Sequence, residues 1–340
     1  MSEITIRSGA LRDAGALISK AFKPGTTAIL SDDNVMPLYG DALEASLKAA
    51  GWSVVRHSFP HGETNKNIGT YARILDFLAE SRLTRTDAVV ALGGGVTGDM
   101  AGFAAATYLR GVKLVQIPTT LLACVDSSVG GKTAVDLPAG KNLVGAFYQP
   151  HVVIVDPETL STLPEAVFRD GMAEVIKHGA IRDAALFRSL PGVREHLEDV
   201  IARNVEIKRS VVDRDERDTG IRQILNFGHT FAHAIEKLSG YGISHGSAVA
   251  MGMAVMARAC AKRGLCDEFA RAELISMIRA FGLPTDCPYG AAEMFSVMLS
   301  DKKRAGDKIT LVVLREIGNC ELYPATLKVA REFLEEGLAS

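Results

Sequence analysis

The sequence lacks several features that would indicate other classes of protein. It has no run of about 18 apolar residues, and its N-terminus has no apolar core of the signal-peptide type. Five cysteines are scattered without a C-x-x-C pair, which favours reduced thiols over a disulfide framework. The formal net charge of -2 provides no basic excess for nucleic acid. These absences predict a cytoplasmic protein without a membrane or nucleic-acid partner.

The length of 340 residues predicts two domains, with a boundary at 162/163. Residues 1–162 alternate apolar runs with helical patterns, which predicts an α/β domain with a parallel, doubly wound sheet. Residues 163–340 are mostly helical in pattern, with Thr162 as a candidate cap of the first helix. The predicted strands of the first domain are 26–32, 52–60, 87–94, 113–120 and 151–155, and its predicted helices are 35–51 and 67–81.

A glycine loop follows the strand at 87–94. Gly93, Gly95 and Gly98 fit G-x-G-x-x-G and lead directly into a small-residue helix, where backbone amides can approach a pyrophosphate. A tight structural turn would explain the same glycines. The loop does not follow the first strand and lacks an acidic residue about twenty positions on, as a standard dinucleotide fingerprint has. Residues that could bind a ribose occur earlier instead, at Asp32, Asn34 and Glu63.

Residues 118–147 form the densest region of glycine and polar residues. Lys132, Lys141 and Asn142 lie beside turn residues and among small apolar ones. Scattered lysines are usually solvated, but this setting is also typical of counter-charges in a buried anion site.

The second half contains a carboxylate and histidines at helical spacing. Glu174 and Lys177 are three residues apart, as either an exposed ion pair or a buried functional pair. A predicted helix over Ile224–Glu236 places His229 and His233 one turn apart on one face. Such a pair can bind one metal, divide between metal and base, or form a hydrogen-bonded core pair.

Glu174, His229 and His245 together would provide the two-histidine, one-carboxylate set of a catalytic zinc site, leaving His233 to move protons. Basic residues are numerous around these positions, which indicates an anionic substrate. Redox chemistry on a phosphorylated and carboxylated polyol accounts for a nucleotide loop, a metal set and a basic pocket together. The basic residues are Lys132, Lys141, Lys177, Lys208 and Arg222.

At these residues the sequence resembles the 3-dehydroquinate synthase family of sugar-phosphate cyclases. The matching motifs are GGGVTGDMAGFAAATYLRGV, QIPTTLLACVDSSVGGKTAVDLPAGKNLVGAFYQP, GMAEVIKHG, RQILNFGHTFAHAIE, SHGSAVAMGM and DKK. The resemblance implies an NAD-binding α/β domain and a helical domain that binds metal and substrate. It implies conversion of 3-deoxy-D-arabino-heptulosonate 7-phosphate into 3-dehydroquinate and phosphate. The steps are transient oxidation by NAD, phosphate elimination, re-reduction and an intramolecular aldol closure, with Zn²⁺ or Co²⁺ as Lewis acid.

The resemblance also implies roles for individual residues. Glu174, His229 and His245 match metal ligands, and His233 matches a proton-transfer histidine. Substrate-side matches are Asp126, Lys132, Lys177, Lys208, Arg222, Asn226 and Lys303, with Lys302 as the alternative to Lys303. Arg110 matches an arginine that reaches the phosphate from a neighbouring subunit, which implies a homodimer. NAD-side matches are Asp32, Asn34, Glu63, Lys66, Gly95, Val96, Thr97, Gly98, Asp99, Thr119, Thr120, Lys132, Lys141, Asn142, Thr159 and Thr162.

The chain departs from the family pattern at two positions, and two related activities compete with this interpretation. Ala232 and Ser247 stand where the family usually has glycine and glutamate, and Ser247 removes a carboxylate near His245. A metal-dependent polyol dehydrogenase would share the loop and the metal set but would release NADH. Another sugar-phosphate cyclase would act on a substrate without the carboxylate, which Lys208, Arg222 and Asn226 disfavour.

Overall fold

The computed structural model describes the backbone of residues 2–302 and 308–339, and the side chains of residues 2–299 and 308–339. The chain folds into two compact units. The first comprises Met1–Pro164 and Leu197–Val205, and the second comprises Glu165–His196 and Glu206–Ser340. Across the described residues, no helix combines the length and the apolar character needed to cross a bilayer.

The first unit is built on a parallel six-stranded sheet of order β1-β8-β5-β4-β2-β3. Its strands are β1 (Glu3–Ile6), β2 (Thr26–Asp32), β3 (Ser53–Phe59), β4 (Ala88–Gly93), β5 (Lys113–Pro118) and β8 (Val152–Val155). Its helices are α1 (Ala14–Ala21), α2 (Met36–Ala49), α3 (Ile68–Glu80) and α4 (Gly95–Thr107). An antiparallel hairpin of β6 (Lys132–Leu137) and β7 (Gly140–Phe147) completes the unit.

Successive side chains of a strand point to opposite faces of the sheet, so apolar strands form one hydrophobic core on each face. Leu30 and Val89 pack with Ile74 of α3 on one face, while Ile29 packs with Leu43 of α2 on the other. Helices covering both faces of a parallel sheet are the doubly wound arrangement. The predicted fold class is therefore confirmed.

The second unit is mostly helical, with one antiparallel strand pair. Its helices include α5 (Glu165–Arg182), α6 (Ala184–Ser189), α8 (His229–Leu238), α9 (His245–Lys262), α10 (Glu268–Ala280), α11 (Ala291–Lys302) and α12 (Leu327–Leu338). Helix α7 (Leu197–Val212) begins among residues of the first unit and ends among those of the second. The strands are β9 (Lys308–Glu316) and β10 (Asn319–Thr326).

Two sequence predictions about helix starts were wrong. The helix predicted over Ile224–Glu236 begins only at His229, since Ile221–Asn226 forms a 3-10 helix. Gly228 separates the two helices with φ 79°, and a Cβ there would lie within 3 Å of Met253 and Val249. Thr162 does not cap α5; it lies in a 3-10 helix, where its hydroxyl is 2.6 Å from the Tyr39 hydroxyl.

Candidate active site

Helix α5 contains an ion pair enclosed by apolar side chains. Its residues from Gly171 to Ile181 are all buried, and the charged Glu174 and Lys177 are among them. Glu174 is 0% exposed and Lys177 is 1% exposed, and the Lys177 ammonium donates to Glu174 Oε2. The exposed i,i+3 pair that spacing also allowed is thereby excluded, because neither side chain reaches solvent.

The two predicted metal-binding histidines are the first residues of their helices, His229 of α8 and His245 of α9. Asp170, one turn before Glu174 on α5, fixes the start of α9. Its Oδ1 accepts from the Ser247 amide at 3.1 Å and from the Ser244 hydroxyl at 2.5 Å. Helix α9 therefore begins at a defined place beside α5.

Three potential ligand atoms converge on one point. His229 Nε2 and His245 Nε2 each lie 3.4 Å from Glu174 Oε1. That oxygen is buried and has no hydrogen-bond partner among the described residues. Two ligand atoms 2.0–2.1 Å from one ion at the tetrahedral angle are about 3.4 Å apart. An unsatisfied carboxylate oxygen facing two imidazole nitrogens at this separation fits a divalent metal such as zinc.

Charges around this point shift two pKa values in opposite directions. Burial would raise the pKa of the Glu174 carboxyl, but Lys177 and His229 outweigh it and hold that pKa well below its usual range. Burial would lower the pKa of His245, yet the nearby carboxylates of Glu174 and Glu236 raise it to about 10. Glu174 is thus a carboxylate, the form that binds a cation.

His233 lies beside this group without belonging to it. Ligand atoms of Glu174, His229 and His245 all lie within 4.8 Å of one another, and His233 is not a member of this group. The His233 ring stands edge-on to the His229 ring with centroids 5.8 Å apart. Both histidines line a cavity of about 370 Å³, as do Asn226 and Lys308. The cavity gives His233 access to a small molecule bound next to the metal ligands.

Two further predicted basic residues of this unit are buried: Lys208 is 7% exposed and Arg222 is 2% exposed. The Arg222 guanidinium donates to the Glu216 carbonyl at 2.6 Å, and its amide donates to Asp215 at 3.0 Å. Buried cations of this kind fit an anionic ligand better than solvated surface lysines do.

In the first unit, the glycine loop packs too closely for side chains. Helix α4 begins at Gly95, directly after β4 and Gly94. A Cβ on Gly93 would lie 2.6 Å from the Thr97 hydroxyl oxygen, and one on Gly94 would lie 3.0 Å from Thr120. The Thr119 hydroxyl is buried without a hydrogen-bond partner in the part of the chain that is described. The unpartnered hydroxyl and the helix N-terminus fit a nucleotide phosphate or ribose.

The structure also locates the two acidic candidates for a ribose. Asp32 ends β2, and its Oδ1 accepts from the amides of Asn34 and Val35 at 2.9 Å. Its other oxygen accepts from the Thr97 hydroxyl at 3.3 Å, so Asp32 joins β2 to the start of α4. Glu63 lies 3.8 Å from the Lys141 ammonium.

Lys66, one of the residues predicted on the NAD side, lies in a buried polar cluster. Its ammonium donates to Asp99 at 2.5 Å and to the Asn142 side-chain oxygen at 2.6 Å. Burial would lower the pKa of Lys66, but the carboxylates of Asp99, Glu63 and Asp136 outweigh it and raise that pKa. Asn142, at φ 55°, also donates its amide to Asp136 at 2.7 Å. The cluster joins α4 to the β6–β7 hairpin.

Replacing Lys66 with methionine should therefore destabilise the first unit by about 2–3 kcal/mol. The Asp99 side chain is only 19% exposed, so water cannot fully replace the ammonium partner that its carboxylate loses. Urea unfolding monitored by circular dichroism would measure this loss. Lys20→Met, at an exposed lysine of α1, is the control and should leave stability unchanged. Equal stability of the Lys66→Met variant and the parent would contradict a structural role for the cluster.

The other predicted residues are distributed over loops and element ends. Asp126 lies in a π-helix over Ala123–Ser127, and Lys132 is the exposed first residue of β6. Arg110 is exposed with φ 66°. Thr159 donates its hydroxyl to the Asp156 carbonyl at 2.8 Å. Lys303 lies outside the described residues, as does the side chain of its alternative, Lys302.

Comparison with known proteins decides the family. Family models described as "3-dehydroquinate synthase N-terminal" and "3-dehydroquinate synthase C-terminal" match residues 56–170 and 171–304. The 3-dehydroquinate synthase of Streptococcus suis is 43% identical over an alignment of 342 positions, gaps included. The alignment covers 98% of this chain and 96% of that protein. The chain belongs to the 3-dehydroquinate synthase family. The resemblance seen in its sequence is confirmed.

Solved structures of related cyclases resemble the chain over nearly its whole length. A 2-epi-5-epi-valiolone synthase from Streptomyces hygroscopicus, with NAD⁺ and Zn²⁺ bound, has a TM-score of 0.90 at 26% identity, covering 99% of this chain and 96% of that one. A 2-deoxy-scyllo-inosose synthase complexed with carbaglucose-6-phosphate, NAD⁺ and Co²⁺ has a TM-score of 0.85 at 27% identity, covering 98% and 96%.

Proposed function

We infer that the protein converts 3-deoxy-D-arabino-heptulosonate 7-phosphate into 3-dehydroquinate and phosphate. Family membership supports the reaction, and the unpartnered Glu174 Oε1 facing two imidazole nitrogens supports it at the level of the site. The enzyme is a phosphate-eliminating cyclase that depends on NAD and a divalent metal, Zn²⁺ or Co²⁺. Bound NAD supplies a hydride acceptor that is restored within each turnover, and the metal supplies a Lewis acid.

Glu174, His229 and His245 are the residues that would hold the metal. Lys177 orients the Glu174 carboxylate by occupying Oε2, so Oε1 stays directed at the two imidazoles. His233 moves protons to and from the substrate, since it lines the cavity while lying outside the group of metal ligands.

The buried cations Lys177, Lys208 and Arg222 hold the anionic groups of the substrate together with Asn226, which lines the cavity. The remaining substrate-side residues of this proposal are Asp126, Lys132, Lys303 and, from a neighbouring subunit, Arg110. The nucleotide side comprises Asp32, Asn34, Glu63, Lys66, Gly95, Val96, Thr97, Gly98, Asp99, Thr119, Thr120, Lys132, Lys141, Asn142, Thr159 and Thr162. Among these, Lys66 and Asp99 act indirectly. The Lys66 ammonium donates to both Asp99 and Asn142, and so supports the hairpin that carries Asn142.

Two finer features of the protein belong to the same proposal. Arg110 of one subunit reaches the substrate phosphate in a neighbouring subunit, so the active enzyme is a homodimer. Reduced cysteines, four of the five buried, fit a cytoplasmic location.

The purified protein with zinc and a catalytic amount of NAD should release one phosphate per heptulosonate phosphate without net formation of NADH. Hydride returns to the substrate before product leaves, so absorbance at the NADH band should stay constant while phosphate accumulates. A coupled phosphate assay and a parallel absorbance trace measure both. Stoichiometric NADH would instead indicate a dehydrogenase, and turnover only of a substrate without the carboxylate would indicate another sugar-phosphate cyclase.

A further inference from the structure

The second ring nitrogen of each metal-site histidine faces a different acceptor. His229 Nδ1 lies 3.3 Å from the Phe227 carbonyl oxygen. His245 Nδ1 lies 3.5 Å from Glu236 Oε1. Both histidines direct Nε2 at Glu174. An acceptor beside Nδ1 favours the tautomer that carries its proton on Nδ1, and this tautomer leaves Nε2 available to bind a metal. For His245 that acceptor carries a charge.

Glu236 is placed for this contact by helix α8 itself. It lies seven residues after His229, about two helical turns, and so on the same face of the helix. It is 5% exposed, and its backbone carbonyl accepts from the Tyr241 amide at 2.8 Å, in the turn that leads to α9. One helix therefore carries both a metal ligand and the carboxylate that faces the other histidine.

We propose that Glu236 is a positioning residue that holds His245 for metal binding through a carboxylate–imidazole contact. The inference rests on the proposed metal site of Glu174, His229 and His245. The Glu174 carboxylate is already paired with the Lys177 ammonium, so Glu236 would add negative charge beside a bound divalent cation. A carboxylate at Nδ1 also strengthens the imidazole as a ligand.

Ser247, close to His245 in the sequence, is engaged at the start of α9. The Ser247 amide donates to Asp170, and its hydroxyl lies 2.8 Å from the Ser244 hydroxyl. Ser247 thus serves the start of α9 and supplies no carboxylate. The carboxylate that faces His245 Nδ1 comes from Glu236 of α8.

Glu236→Gln keeps the side-chain shape and removes the charge. We expect its dissociation constant for Zn²⁺ to rise about 10- to 100-fold in a chelator competition assay. The visible absorption bands of the Co²⁺-loaded variant should also shift, which a general loss of stability would not produce. Glu273→Gln is the matched control, because Glu273 is a helical glutamate of the same unit, paired with Arg188 at 2.8 Å. It should bind Zn²⁺ like the parent.

A measurement on the unaltered protein covers the case in which Glu236→Gln fails to fold. In ¹⁵N NMR spectra of the zinc-loaded parent, His245 should carry its proton on Nδ1 and none on Nε2. An unprotonated Nδ1, or a Glu236→Gln variant with parental affinity and an unchanged cobalt spectrum, would overturn the role of Glu236 alone. A parent that binds no Zn²⁺ would overturn the metal site as well.

Discussion

Replacing His229 with alanine should abolish metal binding, whereas His233→Ala should keep the metal and lower turnover by about 10²- to 10⁴-fold. The two histidines are one helical turn apart, but only His229 directs a nitrogen at Glu174 Oε1, at 3.4 Å. Removing it leaves two protein ligands, fewer than the three of catalytic zinc sites. Removing His233 leaves all three ligands and takes away the proton carrier next to the cavity.

Metal content after dialysis against trace zinc, measured by atomic absorption, separates the two variants independently of activity. Phosphate release under saturating zinc and NAD then gives the loss of turnover. Thr230→Ala is the control for metal content, since Thr230 lies between the two histidines on the same helix but is not one of the three metal ligands. Equal loss of metal from His229→Ala and His233→Ala would contradict the division of roles.

Strands with a strong local signal could be predicted from the sequence. Strand β2 occupies Thr26–Asp32, as its apolar run between turn residues predicts. Strand β1 was missed, because it has four residues and pairs with β8 at Val152, 149 positions from Glu3. Pairing at that separation leaves no periodic pattern in the sequence.

The β6–β7 hairpin was missed for a different reason. Its sequence is rich in glycine and polar residues, which is typical of a loop, and the strands form because they pair with each other from Lys132 to Phe147. Gly145 permits this pairing, since a Cβ there would lie 2.0 Å from the Thr133 carbonyl oxygen. Strand β10 was also missed; it forms an antiparallel pair with β9 over Asn319–Thr326.

Helical spacing indicated the histidine pair of the candidate site but could not decide its role. Glu174 precedes His229 by 55 positions, and no local pattern shows that Oε1 faces the imidazoles. Nor does spacing distinguish a buried Glu174–Lys177 pair from an exposed one, because burial depends on the helices packed around α5. Glu236 was overlooked, although its seven-residue separation from His229 was a usable signal.

That buried pair carries the largest expected effect on stability. Lys177→Met should lower the stability of the metal-free protein by about 3–5 kcal/mol, because it leaves the fully buried Glu174 carboxylate without its cation. The ammonium and a metal ion both compensate the charge of this carboxylate. Saturating zinc should therefore raise the melting temperature of the variant more than that of the parent. Calorimetry with and without zinc measures both differences.

A second substitution separates charge from packing. Lys177→Met combined with Glu174→Gln removes both charges of the pair, so it should recover part of the stability lost in the single variant, while no longer responding to zinc. Lys48→Met removes an exposed i,i+4 pair with Glu44, in which the lysine side chain is 60% exposed, and should cost at most about 0.5 kcal/mol. If Lys177→Met proved as mild as Lys48→Met, the Lys177 ammonium would not be what stabilises the Glu174 carboxylate in the metal-free protein. That result would contradict Lys177 as the largest cause of the low pKa of Glu174.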